Sequence, residues 1–395
     1  MSENVSIIIP VYNGGKTLIS CLDAIKNQEF TGEKDIIVID SGSTDGSIDA
    51  AKRAGASVSC IENKEFHHSR TRNAALSLAK YEKIVYFVQD AVPVSNQWLS
   101  GLCKSLDLKD VASVSVRQIP HADADAYARF EVEFHSEYLS EKEHLKYLDS
   151  LIKFKDLSYD DALHKVRHDN VCSIYRRSLL VQHPFPDVEF GEDMAWAHEM
   201  LLSGYKILYE PKVAVFHSHN RPPEYRFKRS VVNSIACSKI LGRVKDDISY
   251  LSVSDVIEIR DKLMHFSMDL KNNFAKQGGL RQLNVDTFQL YFLARKFIPY
   301  FRKIIRLFGQ DISPSRNLCR HDYLQQAFRN NISFLASMIS RRYAISSVKD
   351  YSSCVDQITA TTIGRMYGEL YSAYMLRGAV PNVIEDLVQP YLKGV

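Results

Sequence analysis

Within its first 110 residues the chain alternates short, unbroken apolar runs with segments of helical spacing, and that alternation leaves few folds open. The runs "VSIIIPVY", "KDIIVID" and "KIVYFVQD" are rich in β-branched residues and carry almost no polar interruption. A strand exposed on one face alternates apolar with polar side chains, whereas an unbroken run marks a strand covered on both faces. Between these runs, "GGKTLISCLDAIKNQ" places Leu18, Cys21, Leu22 and Ile25 on one helical face. "SIDAAKRAG" reads as a helix closed by Gly55, "ASVSCIEN" as a strand, and "HSRTRNAALSLAK" as a further helix. Repeated strand–helix units of this length predict an α/β fold with a mostly parallel sheet and helices on both of its faces.

In such sheets ligands bind beyond the carboxyl ends of the strands. The first run ends at Pro10, Tyr12 and Asn13, the second at Asp40 in "DSGSTDGS", and the third at Gln89 and Asp90. All three ends are expected on one edge. From about 112 to 185 the pattern loosens, with "VASVSVRQIP" strand-like, 123–165 mostly helical and polar, and "DNVCSIYRRSLL" returning to strand and helix. "GYKILYEPKVAVFHSHN" predicts two short strands around Glu210-Pro211. In "FGEDMAWAHEML", Glu192 and Asp193 open a helix whose buried stripe includes Trp196, Met200 and Leu201. Acids there either offset the positive end of the helix dipole or take a proton from a substrate, and the stretch alone does not choose.

Past about residue 225 strand signals largely vanish and helical periodicity takes over, so a boundary divides 1–230 from a mainly α-helical region, 231–395. A chain of 395 residues is long for one core, and 45% hydrophobic with 25% charged residues excludes a disordered protein. No run reaches the roughly 18 to 20 apolar residues that span a bilayer, and "MSENVSIIIPVYN" does not read as a signal peptide. The seven cysteines are scattered and never form a C-x-x-C pair, which argues for buried thiols in a reducing, cytoplasmic compartment.

The net charge of +3 conceals an asymmetry: residues 221–395 carry 26 Lys+Arg against 15 Asp+Glu, leaving 24 against 32 for residues 1–220. Within the basic part, "YFLARKFIPYFRKIIRLFG" interleaves Arg295, Lys296, Arg302, Lys303 and Arg306 with aromatic residues. That composition suits a helix lying on anionic lipid at the inner face of the plasma membrane, or one packed on the catalytic domain or a second subunit of a homo-oligomer. No nucleic-acid reading motif accompanies the charge, so no nucleic-acid partner is expected.

Six segments in order, "IIIPVYNGG", "IVIDSGSTDGS", "HHSRTRN", "VQDAVP", "FGEDMAW" and "VFHSH", resemble family-2 glycosyltransferases of the GT-A nucleotide-sugar-binding fold, over residues 5–220. Within that family "QDAVP" and "GEDMAW" are most similar to the rhamnosyltransferases, whose donor is dTDP-L-rhamnose. The resemblance implies an inverting transferase that moves L-rhamnose to a hydroxyl of a surface polysaccharide or lipid-linked glycan. Its rivals are a UDP-hexose-dependent transferase of the same fold and a non-catalytic partner in a glycan-assembly complex.

The resemblance also assigns roles. Pro10, Tyr12, Asn13, Asp40, His68, Arg72, Gln89 and Asp90 fall at nucleotide-sugar positions. Tyr12 stacks on the base or is a core tyrosine, and Asp40 accepts from the base imide N–H. Arg72, supported by Asn73, clamps phosphate oxygens or forms a surface ion pair. Mg²⁺ or Mn²⁺ is held by Asp90 and His217, with His219 as the fallback and Val88 where the family has a first acid. Asp193 serves as general base, Glu192 caps the helix or meets the acceptor, and Trp196 is an acceptor wall or core.

Overall fold

The computed structural model describes residues 4–140, 142–148, 151–246, 248–276 and 320–392. It contains two compact units, Met1–Asn220 with Val232–Asp246, and Arg221–Val231 with Asp247–Val395. Among the described residues the first unit is built on a nine-stranded sheet. Its strands are β1 (Val5–Val11), β2 (Lys34–Asp40), β3 (Ser57–Cys60), β4 (Lys83–Phe87), β5 (Val92–Pro93), β6 (Val111–Ile119), β7 (His144–Lys146), β8 (Cys172–Arg176) and β9 (Lys206–Phe216). They lie in the order β3-β2-β1-β4-β8-β6-β9-β5, with β7 paired to β9.

The unbroken apolar runs are explained by where alternate side chains go. Ile7 and Ile9 of β1, Ile36 and Val38 of β2, and Val85 and Phe87 of β4 enter one core. Ile8, Ile37, Ile39, Ile84 and Tyr86 enter a second core on the opposite face. Burying each such aliphatic side chain contributes roughly 1.5–3 kcal/mol, so a polar residue on either face of these strands is disfavoured. Helix α1 (Gly15–Lys26) covers the first core with Leu18, Cys21, Leu22 and Ile25, the four positions its spacing indicates. The other helices of this unit are α2 (Ser47–Arg53), α3 (His68–Ala75), α4 (Trp98–Leu106), α5 (Ala126–Leu139), α6 (Leu151–Asp156), α7 (Tyr159–Val166), α8 (Arg177–Gln182) and α9 (Glu192–Leu202).

The parallel expectation holds for β3, β2, β1 and β4, and again for β6 with β9. Between these groups β8 runs antiparallel to both β4 and β6. Strands β1, β2, β4, β6 and β9 therefore deliver their carboxyl ends to one edge, and β8 delivers its amino end there, with Cys172 opposite Phe87. Pro10 sits beyond the last β1–β4 pair, Ile8 with Tyr86, so its missing N–H removes no bond of that ladder. The two strands expected around Glu210-Pro211 are one strand. Its register to β6 jumps from Val116↔Glu210 to Arg117↔Ala214, so Pro211 falls in a bulge and needs no ladder bond.

Described residues of the second unit form helices joined by turns. They comprise the first part of α10 (Pro223–Leu241), then α11 (Val253–Lys276), α12 (Arg320–Arg342), α13 (Val348–Met375) and α14 (Asn382–Val388). The basic aromatic segment 291–309 and Cys319 lie outside the described residues. No described helix is long and apolar enough to cross a membrane. The described cysteines are free; all are buried except Cys60. Inside this unit Gly364 of α13 meets the α10 backbone: a Cβ there would lie 2.3 Å from the Phe227 carbonyl oxygen. Gly364→Ala forces two helix backbones apart and is expected to cost about 1–3 kcal/mol by overpacking, read as a lowered urea midpoint of the full chain.

Candidate active site

The end of the edge formed by β1, β2 and β4 is stitched together by short polar side chains. Gln89 Oε1 accepts from the Tyr12 N–H at 2.8 Å, and Gln89 Nε2 donates to the Tyr12 carbonyl at 3.1 Å. Asn13, at φ 47°, donates its N–H to Ser43 Oγ (2.8 Å) and accepts from the Thr44 N–H (2.9 Å). Tyr12 is 50% exposed and so is not a core tyrosine. Both ends of the Gln89 carboxamide thus hold the Tyr12 backbone in place. Asp40 is fully buried, and its Oδ1 accepts from the N–H groups of Gly42 and Ser43, each at 2.9 Å. Its Oδ2 has no hydrogen-bond partner. A buried lone carboxylate oxygen is costly unless a donor arrives from outside the chain.

Asp90 follows β4 and faces the end of β9. His217 Nε2 lies 3.7 Å from Asp90 Oδ1, and His219 Nδ1 lies 3.5 Å from Asp90 Oδ2. One ligand atom from each of these three residues lies within 4.8 Å of the others. His217 Nδ1 meets Gln118 Oε1 at 2.8 Å, which fixes the proton on Nδ1 and leaves the Nε2 lone pair toward Asp90. Burial draws the His217 imidazole down to about 4, against the opposing charge of Asp90, so the ring is neutral near pH 7. His121 adds Nε2 at 3.2 Å from the Asp90 carbonyl. The donor set therefore fits a small divalent cation, with one carboxylate and two imidazoles pointing to a common volume.

The acids of α9 are linked to this cluster through Asp169, which interacts electrostatically with both Asp193 and His217. Gly191 caps the helix at φ 79°, where a Cβ would also lie 3.2 Å from Met194 Cε. Asp193 is half-buried; its Oδ2 accepts from the Asn170 N–H at 3.0 Å and its Oδ1 from the Met194 N–H at 2.8 Å. Burial, then the negative charges of Glu192 and Asp169, push its carboxyl up to about 7, against the pull of Arg72. Glu192 is buried and accepts from Arg72 Nη1 and, at 3.2 Å, from Asn170 Nδ2. Burial works against its ionisation, but the charges of Arg72 and His68 outweigh it and hold the Glu192 carboxyl below the ordinary range.

Four assignments change accordingly. Arg72 is not a surface pair: it is 4% exposed, its Nη1 donates to Glu192 and the His68 carbonyl, and its Nε has no hydrogen-bond partner. Asn73 supports the loop ahead of α9 rather than Arg72, exchanging hydrogen bonds with the Phe185 backbone at 2.8 and 3.0 Å. Trp196 is core, not an acceptor wall. It is fully buried, donates Nε1–H to the His183 carbonyl at 2.7 Å, and packs edge-on against Tyr175. Glu192, enclosed by its partners, is likewise withdrawn from the acceptor. His68 remains at the site, its ring edge-on to Phe66 and its Nδ1 3.5 Å from Arg72 Nη1.

The residues that reading strand ends misses are Asp169 and Asn170. They precede β8, whose reversed direction brings its amino end to the edge. Asp169 lies 3.5 Å from His135 Nε2. Burial raises its carboxyl, but the adjacent His135 and the nearby imidazoles of His168 and His217 bring it below the ordinary value. It is thus electrostatically in touch with Asp193 on one side and His217 on the other. The only sequence signal was a polar pair directly before an apolar run.

Residues 6–181 match the profile of glycosyl transferase family 2. The chain is 33% identical over 245 residues, 60% of this chain and 74% of the other, to the O-antigen chain rhamnosyltransferase RfbN of Salmonella typhimurium. The chain belongs to glycosyltransferase family 2. A second relative, the O-antigen chain rhamnosyltransferase WbaN of Salmonella anatum, is 32% identical over 227 residues, 57% of this glycosyltransferase and 69% of that protein. Among solved structures the glycosyltransferase is similar to the mannosyltransferase PcManGT from Pyrobaculum calidifontis in complex with GDP-Man and Mn²⁺, at TM-score 0.45 and 16% identity, with 92% of this chain and 86% of that chain covered.

The buried pair of this glycosyltransferase gives a stability test. Arg72→Met leaves the Glu192 carboxylate buried and unpaired, which is expected to cost about 3–5 kcal/mol in urea unfolding. Arg70→Met, which breaks the exposed pair with Asp187, is expected to leave the midpoint nearly unchanged.

Proposed function

We propose that this glycosyltransferase moves L-rhamnose from dTDP-L-rhamnose onto a hydroxyl of a surface polysaccharide or lipid-linked glycan, with inversion at the anomeric carbon and Asp193 as general base. The observation that carries the base assignment is the setting of Asp193: partly open and held by two backbone N–H groups, with burial and the charges of Glu192 and Asp169 pushing its carboxyl up to about 7. The donor assignment is supported by the likeness to the two O-antigen chain rhamnosyltransferases.

In the proposed reaction the acceptor oxygen attacks the anomeric carbon from the face opposite the nucleotide. Its bond to that carbon forms as the bond from carbon to the diphosphate oxygen breaks, and the acceptor proton passes to Asp193. Tyr12 offers its exposed face to the thymine ring, and Asp40 Oδ2 accepts from the imide N–H. Pro10 and Asn13 shape the loop that carries Tyr12, and His68 lies toward the donor. Asp90, His217 and His219 would hold Mn²⁺ or Mg²⁺, which offsets negative charge on the leaving diphosphate when bound. The helical region 231–395, rich in basic residues, is proposed for acceptor, membrane or subunit contacts at the cytoplasmic face of the membrane.

The test is incubation with dTDP-rhamnose and with UDP-sugars, with and without Mn²⁺, followed by release of nucleoside diphosphate. Asp193→Ala is expected to lower transfer at least about 10³-fold, the upper range for loss of a general base, while nucleotide affinity stays within about twofold. Transfer by that variant at the normal rate would sink the base assignment. Because the base acts in its ionised form, kcat/KM is expected to fall about tenfold per pH unit below 7 and to level off above it. Asp90→Asn and His217→Ala are each expected to weaken Mn²⁺ binding at least about tenfold in calorimetry, and equal affinity would reject the metal assignment.

A further inference from the structure

Resting on the reading of Asp193 as base, we propose that the buried network of Arg72, Glu192 and Asn170 is a positioning device that fixes the direction of the Asp193 carboxylate and its hold on a proton. Asn170 ties the two acids together. Its backbone N–H donates to Asp193 Oδ2 (3.0 Å), its Nδ2 donates to Glu192 Oε1 (3.2 Å), and its Oδ1 accepts from the Tyr175 hydroxyl (2.7 Å). Asn170, Tyr175, Glu192 and Arg72 are all at most 5% exposed, so the frame has little freedom to move. A shift of Asn170 would disturb both carboxylates at once.

Position at the start of α9 would by itself lower the proton affinity of both acids, since the amino end of a helix favours negative charge. Lowered affinity makes a poor base. The network reverses this for one acid by ionising the other. Arg72 keeps Glu192 charged despite its burial, and that fixed negative charge stands one residue from Asp193. The charged groups facing Asp193 come from three places. Glu192 lies on its own helix, Asp169 comes from the loop ahead of β8 with His135 of α5 behind it, and Arg72 reaches across from α3. The two carboxylates hold its proton more tightly and the guanidinium loosens it. Arg72 and Glu192 thus act on the reaction through Asp193 and not on the substrate.

The experiment is a titration of the full chain labelled with ¹³C at the aspartate carboxyls, with Asp193→Asn used to identify the resonance. The wild-type midpoint is expected near 7. Glu192→Gln should lower it by about one pH unit, a roughly tenfold weaker hold on the proton, and Glu192→Asp should leave it near the wild-type value. In turnover with dTDP-rhamnose, Glu192→Gln should shift the acid limb of kcat/KM downward by the same amount, with donor Kd within about twofold. If Glu192→Gln does not fold, Arg72→Met with Glu192→Gln removes the pair as a neutral unit, which buried pairs tolerate. That double variant is also expected to lower the midpoint, because it removes the negative charge that stands one residue from Asp193. An unmoved midpoint in the folded variant, or a wild-type midpoint near 4, overturns the inference. Loss of transfer in Asp193→Asn together with an unmoved midpoint would leave the base standing and reject the network alone. Undiminished transfer by Asp193→Asn would reject the base itself.

Discussion

Strands buried above and below the sheet have no face on which to carry polar groups, so their chemistry can sit only where they end. In β1, β2 and β4 alternate residues fill two separate cores. The first polar positions at the ends of those runs are Tyr12, Asp40, and Gln89 with Asp90. Parallel pairing then places these ends side by side, and short side chains lock the loops to one another. Gln89 brackets Tyr12, Ser43 and Thr44 engage Asn13, and Asp45 and Ser47 accept from the Gly15 and Gly14 N–H groups. The order of these loops is therefore a consequence of the core, transmitted through side-chain to backbone hydrogen bonds.

Four carboxylates crowd the other end of the same edge, and the structure treats each differently. Asp90 faces two imidazoles, Asp169 faces His135, and Glu192 faces Arg72. Among the described residues Asp193 has no cationic partner in direct contact; it is held only by N–H groups. That difference separates the roles, because pairing lowers proton affinity while burial beside like charge raises it. Lys146 extends the pattern. It is fully buried in β7, with its ammonium brought down to about 7 by burial and supported by the charge of Asp169.

Much of the fold was legible because it rests on local periodicity. The helical face of α1 and the unbroken runs of β1, β2 and β4 needed no knowledge of distant residues. Strand-end polar residues were legible for the same reason. Residues whose meaning depends on a partner far along the chain were not. Arg72 reads as a surface cation until Glu192, 120 positions on, is placed against it in the interior. Trp196 reads as wall or core until Tyr175 and the His183 carbonyl enclose it.

Taken alone, the residues determined an α/β sheet with its polar strand ends on one edge, a helical second half, and acids at the head of α9. Hydrophobic pattern and backbone preference act over a few residues and can be read there. Only the tertiary structure decided that β8 runs backwards, bringing Asp169 and Asn170 to the site. It alone decided that Glu192 is neutralised by Arg72 while Asp193 is not. Burial and Coulomb interactions depend on distance in space, and a linear chain of residues does not contain that distance until it folds.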